Sequence, residues 1–193
     1  LHLCHHNLES IDTKNYDSGN AKHDLLLEVC MAAKYEGNSI KTYYTEHEYT
    51  NPDTKSQLCT VLARSFADIG DIVRGRDLFH GNPQEKEKRD ELEKNLKTIF
   101  EKIHSGLTRG KKGAEERYKK DKETGNYYQL REDWWNNNRK MVWHAITCDA
   151  GGGTYFRKAC SNDTSDTNVK CRCDGSNADQ VPTYFDYVPQ FLR

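Results

Sequence analysis

Seven cysteines carry most of the reactive chemistry in this chain: Cys4, Cys30, Cys59, Cys148, Cys160, Cys171 and Cys173. They are scattered and form no redox motif, which points to disulfides and an oxidising compartment. The rival use of thiols is zinc. "HLCHH" (2–6) and "CRC" (171–173) offer the right ligand types, but no pair of CxxC motifs is present. Ligands so close together rarely close a tetrahedral site, so neither a metal nor a cofactor is expected. Catalytic spacings are missing as well. The eight histidines include no HExxH pair, and "HEYT" (47–50) lacks the second His. "DAGGGT" (149–154) is glycine-rich but has no phosphate-loop lysine. The many carboxylates sit in mixed charge runs of the kind found on solvated faces. An enzyme is not expected.

One cluster is suited to binding. Residues 107–126, "LTRGKKGAEERYKKDKETGN", hold Arg109, Lys111, Lys112, Arg117, Lys119, Lys120 and Lys122. Against these seven positive charges stand Glu115, Glu116, Asp121 and Glu123, leaving a local +3. Two readings stay open: a mobile solvated loop, or a salt-sensitive contact for a sulfated glycan or an anionic cell surface. Asn162-Asp163-Thr164 has the form of an N-glycosylation sequon, a tripeptide that arises easily by chance.

The elements that must position these residues are helical. The chain has 193 residues, of which 31% are charged and 35% hydrophobic, with a net charge of −1. Its mean hydropathy is −1.00. That balance predicts no nucleic-acid partner, and no run approaches the ~18 apolar residues of a membrane span. "LHLCHHNLESI" has no signal-peptide pattern. Both ends stop in apolar rhythm, so the chain is expected to be a piece of something longer.

Four segments show helical period. The first, 21–44, aligns Leu25, Leu26, Val29 and Ala33, with Gly37-Asn38 as its expected end or kink. The second, 55–74, aligns Leu58, Leu62, Phe66, Ile69 and Val73 behind Pro52 and Asp53. The third opens with Asn82 as N-cap and Pro83 at the first helical position. It buries Leu92, Leu96, Ile99, Phe100 and Ile103 and is expected to stop at Gly106. The fourth, 130–148, puts Leu130, Trp134, Met141, Ala145 and Cys148 on one side. Trp135, Val142 and Ile146 widen that side. Trp134 and Trp135 are expected in the core, and Trp143 lies at the margin, open as a surface contact. Long loops are expected at 107–126 and 149–180, the second stapled by Cys160, Cys171 and Cys173.

Four stretches then carry a resemblance: "LCHHNLESI" (3–11), "LARSFADIGDIVRGRDLF" (62–79), "LREDWWNNNRKMVWHAITC" (130–148) and "VPTYFDYVPQFLR" (181–193). In this order and spacing the chain resembles the Duffy-binding-like alpha domains of erythrocyte membrane protein 1. These are variant adhesins that falciparum malaria parasites display on the infected red cell. The resemblance covers essentially the whole chain. It implies a mainly α, disulfide-stapled helical bundle with long irregular loops. Residues 1–16 would end a first subdomain, 17–180 would be the central bundle, and 181–193 would begin a long helix of a third. It further implies that Cys4 pairs upstream of the chain and that Cys30 pairs with Cys148. Cys59 and Cys160 would take Cys171 and Cys173 in an order left open. Phe66, Ile69, Trp134, Trp135 and Val142 would be core.

The implied function is extracellular adhesion (cytoadherence and rosetting). The partners would be a host erythrocyte receptor, sulfated or blood-group glycans, neighbouring adhesin domains and host antibodies. The alternative is a structural or antigenically variable decoy without a ligand of its own. The family also weakens the sequon, since these parasites make little N-glycan.

Overall fold

In the computed structural model the described residues are Leu8, Ile11, Thr13, 16–50, 57–78 and 81–193. Pro52 and Asp53, and Cys4, lie outside them. Six α-helices are present among these residues: α1 (Ala21–Thr50), α2 (Leu58–Arg74), α3 (Pro83–Thr108), α4 (Lys112–Arg117), α5 (Lys119–Thr124) and α6 (Tyr128–Ile146). No β-strand forms among the described residues, only an isolated antiparallel bridge between Cys160 and Ser165. The expected mainly helical, disulfide-bonded class is the class observed.

The chain divides into two compact units, one of Leu1–Val29 with Asp71–Asn138 and one of Cys30–Gly70 with Arg139–Arg193. The three subdomains implied by the resemblance have other boundaries and stand as a proposal.

In the first unit, α3 begins as its residues dictate. Asn82 accepts from the Glu85 N–H at 2.9 Å, and the Glu85 carboxylate accepts from the Asn82 N–H at 3.1 Å. This capping box satisfies two amides that lack helical partners. The helix does not stop at Gly106 but runs on to Thr108. A Cβ on Gly106 would lie 2.1 Å from the Ser18 carbonyl oxygen, so the glycine serves a close approach. Leu92, Leu96, Ile99, Phe100 and Ile103 are buried with Leu25, Leu130, Trp134 and Trp135. Trp134 meets Phe100 edge-on at 6.2 Å and donates its indole N–H to the Lys22 carbonyl at 3.2 Å. Arg131 is fully buried. It donates to the Val73 and Ile72 carbonyls at 2.6 and 3.1 Å and to both Glu93 carboxylate oxygens at 2.7 and 2.9 Å. It thereby supplies the Val73 carbonyl at the end of α2 with a donor and adds a second to the Ile72 carbonyl, which also accepts from the Gly75 N–H.

In the second unit, Phe66, Ile69, Val142 and Trp143 are buried. Trp143 is not marginal: it is 1% exposed, meets Phe66 edge-on at 5.2 Å, and donates to the Cys171 carbonyl at 3.1 Å. Met141 and Cys148, expected on the buried side, are exposed. The inward arc of α6 here runs through Val142, Trp143 and Ile146, because the Cys171 segment covers a flank that a helical wheel leaves open. Helix α1 passes straight through Gly37. A Cβ there would lie 2.0 Å from the Ile146 carbonyl oxygen.

The loop at 149–180 is irregular and stapled. Cys59 bonds Cys171 and Cys160 bonds Cys173, with Cα separations of 5.3 and 5.6 Å. Cys30 and Cys148 do not pair: both thiols are free. Gly37 abuts Ile146, and Asp149 shares a surface groove with Asn38, Lys41 and Thr42. Cys148 therefore lies level with the middle of α1. Cys30 lies seven residues before Gly37, about 10 Å earlier along the helix axis at ~1.5 Å per residue. Residues 181–193 form two 3₁₀ turns, Phe185–Tyr187 and Gln190–Leu192, where the resemblance implied a long helix. Arg139 holds this segment through Asp186 at 2.7 Å, and Arg193 through Asp68 at 2.9 Å.

Candidate functional site

The basic stretch expected as a loop is two short helices, α4 and α5, set by two glycines. Gly110 takes a φ of 73° between α3 and α4, and Gly125 takes 68° as the cap of α5. Both are left-handed conformations that glycine adopts without Cβ strain.

Three side chains tie this pair of helices to α6. Asp121 is buried, and its carboxylate accepts from the backbone N–H groups of Gln129 at 3.1 Å and Leu130 at 2.7 Å. Those amides belong to the first turn of α6 and have no helical acceptor, so Asp121 caps that helix from a distance. Arg117 donates twice to Asp133, at 2.7 and 2.8 Å. The Tyr118 hydroxyl adds a third bond at 2.9 Å and the Gln129 amide a fourth at 3.1 Å. The Arg117 hydrogen bonds hold the Asp133 carboxyl below its usual range. Loss of solvent, ahead of the Asp133 bond, pushes the Tyr118 phenol up.

The seven basic residues thus separate into roles. Arg117 is committed to Asp133. Arg109, Lys111, Lys112, Lys119, Lys120 and Lys122 are exposed and make no ion pair among the described residues. Lys112, Lys119 and Lys122 line a groove of about 540 Å³ with Glu115, Glu116 and Glu123, floored by His104 and Thr108. The groove's own charges cancel. The surplus positive charge stands outside it, on Arg109, Lys111 and Lys120. Asp121, Tyr118 and Asp133 were not legible as anchors in the sequence. The one available signal was an aspartate seven residues ahead of a helix start.

Among the described residues no group of three His, Cys, Asp or Glu side chains is placed to hold a metal ion. No helix among them is long and apolar enough to cross a membrane. The disulfide-stapled helical scaffold therefore presents charged and aromatic surface. A family model described as Duffy binding domain matches residues 1–193.

The chain belongs to the Duffy binding domain family.

Solved structures agree with that assignment. One is the NTS-DBL1(alpha-1) domain of the Plasmodium falciparum membrane protein 1 (PfEMP1) from the varO strain, 45% identical with a TM-score of 0.75. It is matched over 99% of this chain and 40% of its own length. The varO double domain of NTS-DBL1-alpha with CIDR-gamma is 44% identical at a TM-score of 0.74, over 99% of this chain and 25% of that one. An ICAM-1-binding PfEMP1 DBLbeta domain is 32% identical at 0.68, over 99% and 39%. This Duffy binding domain chain therefore spans two fifths or less of those solved chains. No curated protein sequence matches it.

Proposed function

We propose that this Duffy binding domain chain is part of an extracellular adhesion domain of a variant surface antigen. It would sit on the outer face of the infected erythrocyte within a larger membrane-anchored protein and bind a host-cell surface receptor. The observation that carries this reading is its likeness, over 99% of its length, to a PfEMP1 domain that binds ICAM-1. At the finer level, α4 and α5 supply a contact for sulfated glycans. Arg109 and Lys111 at the entry to α4 and Lys120 in α5 are exposed, which supports multivalent salt-sensitive pairing. Individual exposed pairs contribute about 0 to 1 kcal/mol, so avidity comes from several contacts or many adhesin copies.

The test is binding of the complete domain to uninfected red cells across a salt series, with soluble heparin as competitor. Binding that weakens with salt, is displaced by heparin and falls at least about tenfold on reversing Lys111, Lys112, Lys119 and Lys120 supports the glycan contact. Binding that ignores salt, heparin and these substitutions removes it while leaving receptor adhesion standing.

One observation favours a second reading, packing against neighbouring adhesin domains without a host ligand. Phe156, Tyr184, Tyr187, Phe191 and Leu192 are all exposed in the second unit, and exposed apolar surface, where contiguous, marks an interface. Failure of the correctly oxidised complete domain to bind any host cell favours that reading.

A further inference from the structure

The segment from Gly110 to Gly125 brings little apolar surface to the first unit. Its only apolar side chains are Ala114 and Tyr118, both half-buried. Helix α4 buries no residue, and α5 buries only Asp121. Helices of six residues are too short to persist alone in water. Backbone hydrogen bonds from 112–124 stay within the segment and the turns that bracket it. What holds it down is an edge-on contact of Tyr118 with His104 at 6.4 Å and the side-chain bonds of Arg117, Tyr118 and Asp121 to α6. Arg117 is 55% exposed, and an ion pair so open to water holds weakly.

The ends of the segment are built to turn. Gly110 and Gly125 take φ of 73° and 68°, and a Cβ on either would meet nothing within 4 Å. Open space around both leaves the backbone free to rotate there. Between the hinges the two helices form one piece. Tyr118 is the single residue separating them. Its N–H donates to the Ala114 carbonyl at 3.1 Å, and its carbonyl accepts from the Lys122 N–H at 3.2 Å. The closed arrangement also carries strain. It sets Tyr127, a buried aromatic residue, at a φ of 56°, a left-handed backbone that disfavours bulky side chains.

We propose that 110–125 is a hinged clip: α4 and α5 swing out together about Gly110 and Gly125 while α3 and α6 stay folded. The swing takes the Asp121 carboxylate off the Gln129 and Leu130 amides and so uncaps α6. It also frees Tyr127 to leave its left-handed backbone. Lys111, Lys112, Lys119 and Lys120 travel with the clip and are shown in two dispositions, whether or not they meet a glycan.

The test is hydrogen–deuterium exchange of the complete, disulfide-bonded domain, read at single residues by mass spectrometry. The Gln129 and Leu130 amides report the clip, because Asp121 is their acceptor. For an open population on the order of 0.1–10%, they are expected to exchange about 10 to 1,000 times more slowly than in a free peptide. The Ile99 and Phe100 amides of α3 are expected to be slower by at least a further factor of about ten. Arg117→Gln changes an exposed side chain and leaves Asp121 intact. It should speed Gln129 and Leu130 about two- to fivefold and leave Ile99 and Phe100 unmoved. Gly125→Ala strains the closed form and should speed the same two amides about fivefold or more, whereas Gly125→Asn, which tolerates the left-handed backbone, should do so less. Exchange of Gln129 and Leu130 no faster than that of Ile99 and Phe100 would mean that the segment opens only with the whole fold. Fraying of α4 alone would leave both amides at the wild-type rate in R117Q. Either result, a free-peptide rate at both amides, or a wild-type rate in G125A overturns the clip.

Discussion

Arg131 does at one position what a hydrophobic residue could not: it fills core space and satisfies two helix-end carbonyls and a carboxylate together. Removing it takes the side-chain donor from the buried Val73 carbonyl and the guanidinium from Glu93, so Arg131→Met is expected to lower the unfolding free energy by about 3 kcal/mol in a urea titration. Asp133 makes a prediction in pH. Its folded carboxyl titrates below the ordinary 3.8 because Arg117 favours the charged form. The stability it contributes is therefore present above that value and lost as pH falls below it. Asp133→Asn should lower stability at neutral pH and flatten the acid limb of the stability profile. The two free thiols differ in the same physical language. Burial raises the Cys30 thiol to about 11, leaving about one thiolate in a thousand at pH 8, whereas Cys148 is exposed. Iodoacetamide followed by peptide mapping should label Cys148 well before Cys30. Finding the two joined in one peptide pair would restore the implied bridge.

Helices and crosslinks carry their own predictions. Cys59–Cys171 closes a span of 112 residues and Cys160–Cys173 one of 13. On chain entropy alone these are worth about 5 and about 3 kcal/mol, so C59S/C171S should lose more stability than C160S/C173S. Gly37→Ala and Gly106→Ala should each destabilise by about 1 to 3 kcal/mol, reversing the usual gain of alanine in a helix, because each Cβ meets a carbonyl oxygen. What was legible follows from locality. The Asn82-Pro83 start of α3 and its buried stripe are written within a few turns of one helix, and so were readable. Gly37 and Gly106 looked like a kink and a stop because the reason for each lies on another segment. Trp143 looked marginal for the same reason, its cover being the backbone at Cys171. Helix α4 buries no residue and is shorter than two turns, so no periodic stripe announced it. In the candidate site the charges were visible, but which of them were already engaged was not.

At the scale of the whole molecule, a net charge of −1 gives no general attraction for a polyanion. Any retention on heparin must then come from local surplus, which makes its origin testable. K111E/K120E should shift elution to lower salt, while K34E/K94E, the same charge change elsewhere, should leave it nearly in place. Equal shifts from both pairs would mean that bulk charge governs the interaction. The α4–α5 segment carries a further consequence. Its side-chain hydrogen bonds to α6 run through Arg117, Tyr118 and Asp121, while its lysines face solvent. Substitution can therefore rewrite nearly every outward position of this segment at little cost to folding. Such a surface is free to drift in sequence as long as its inward residues keep their places.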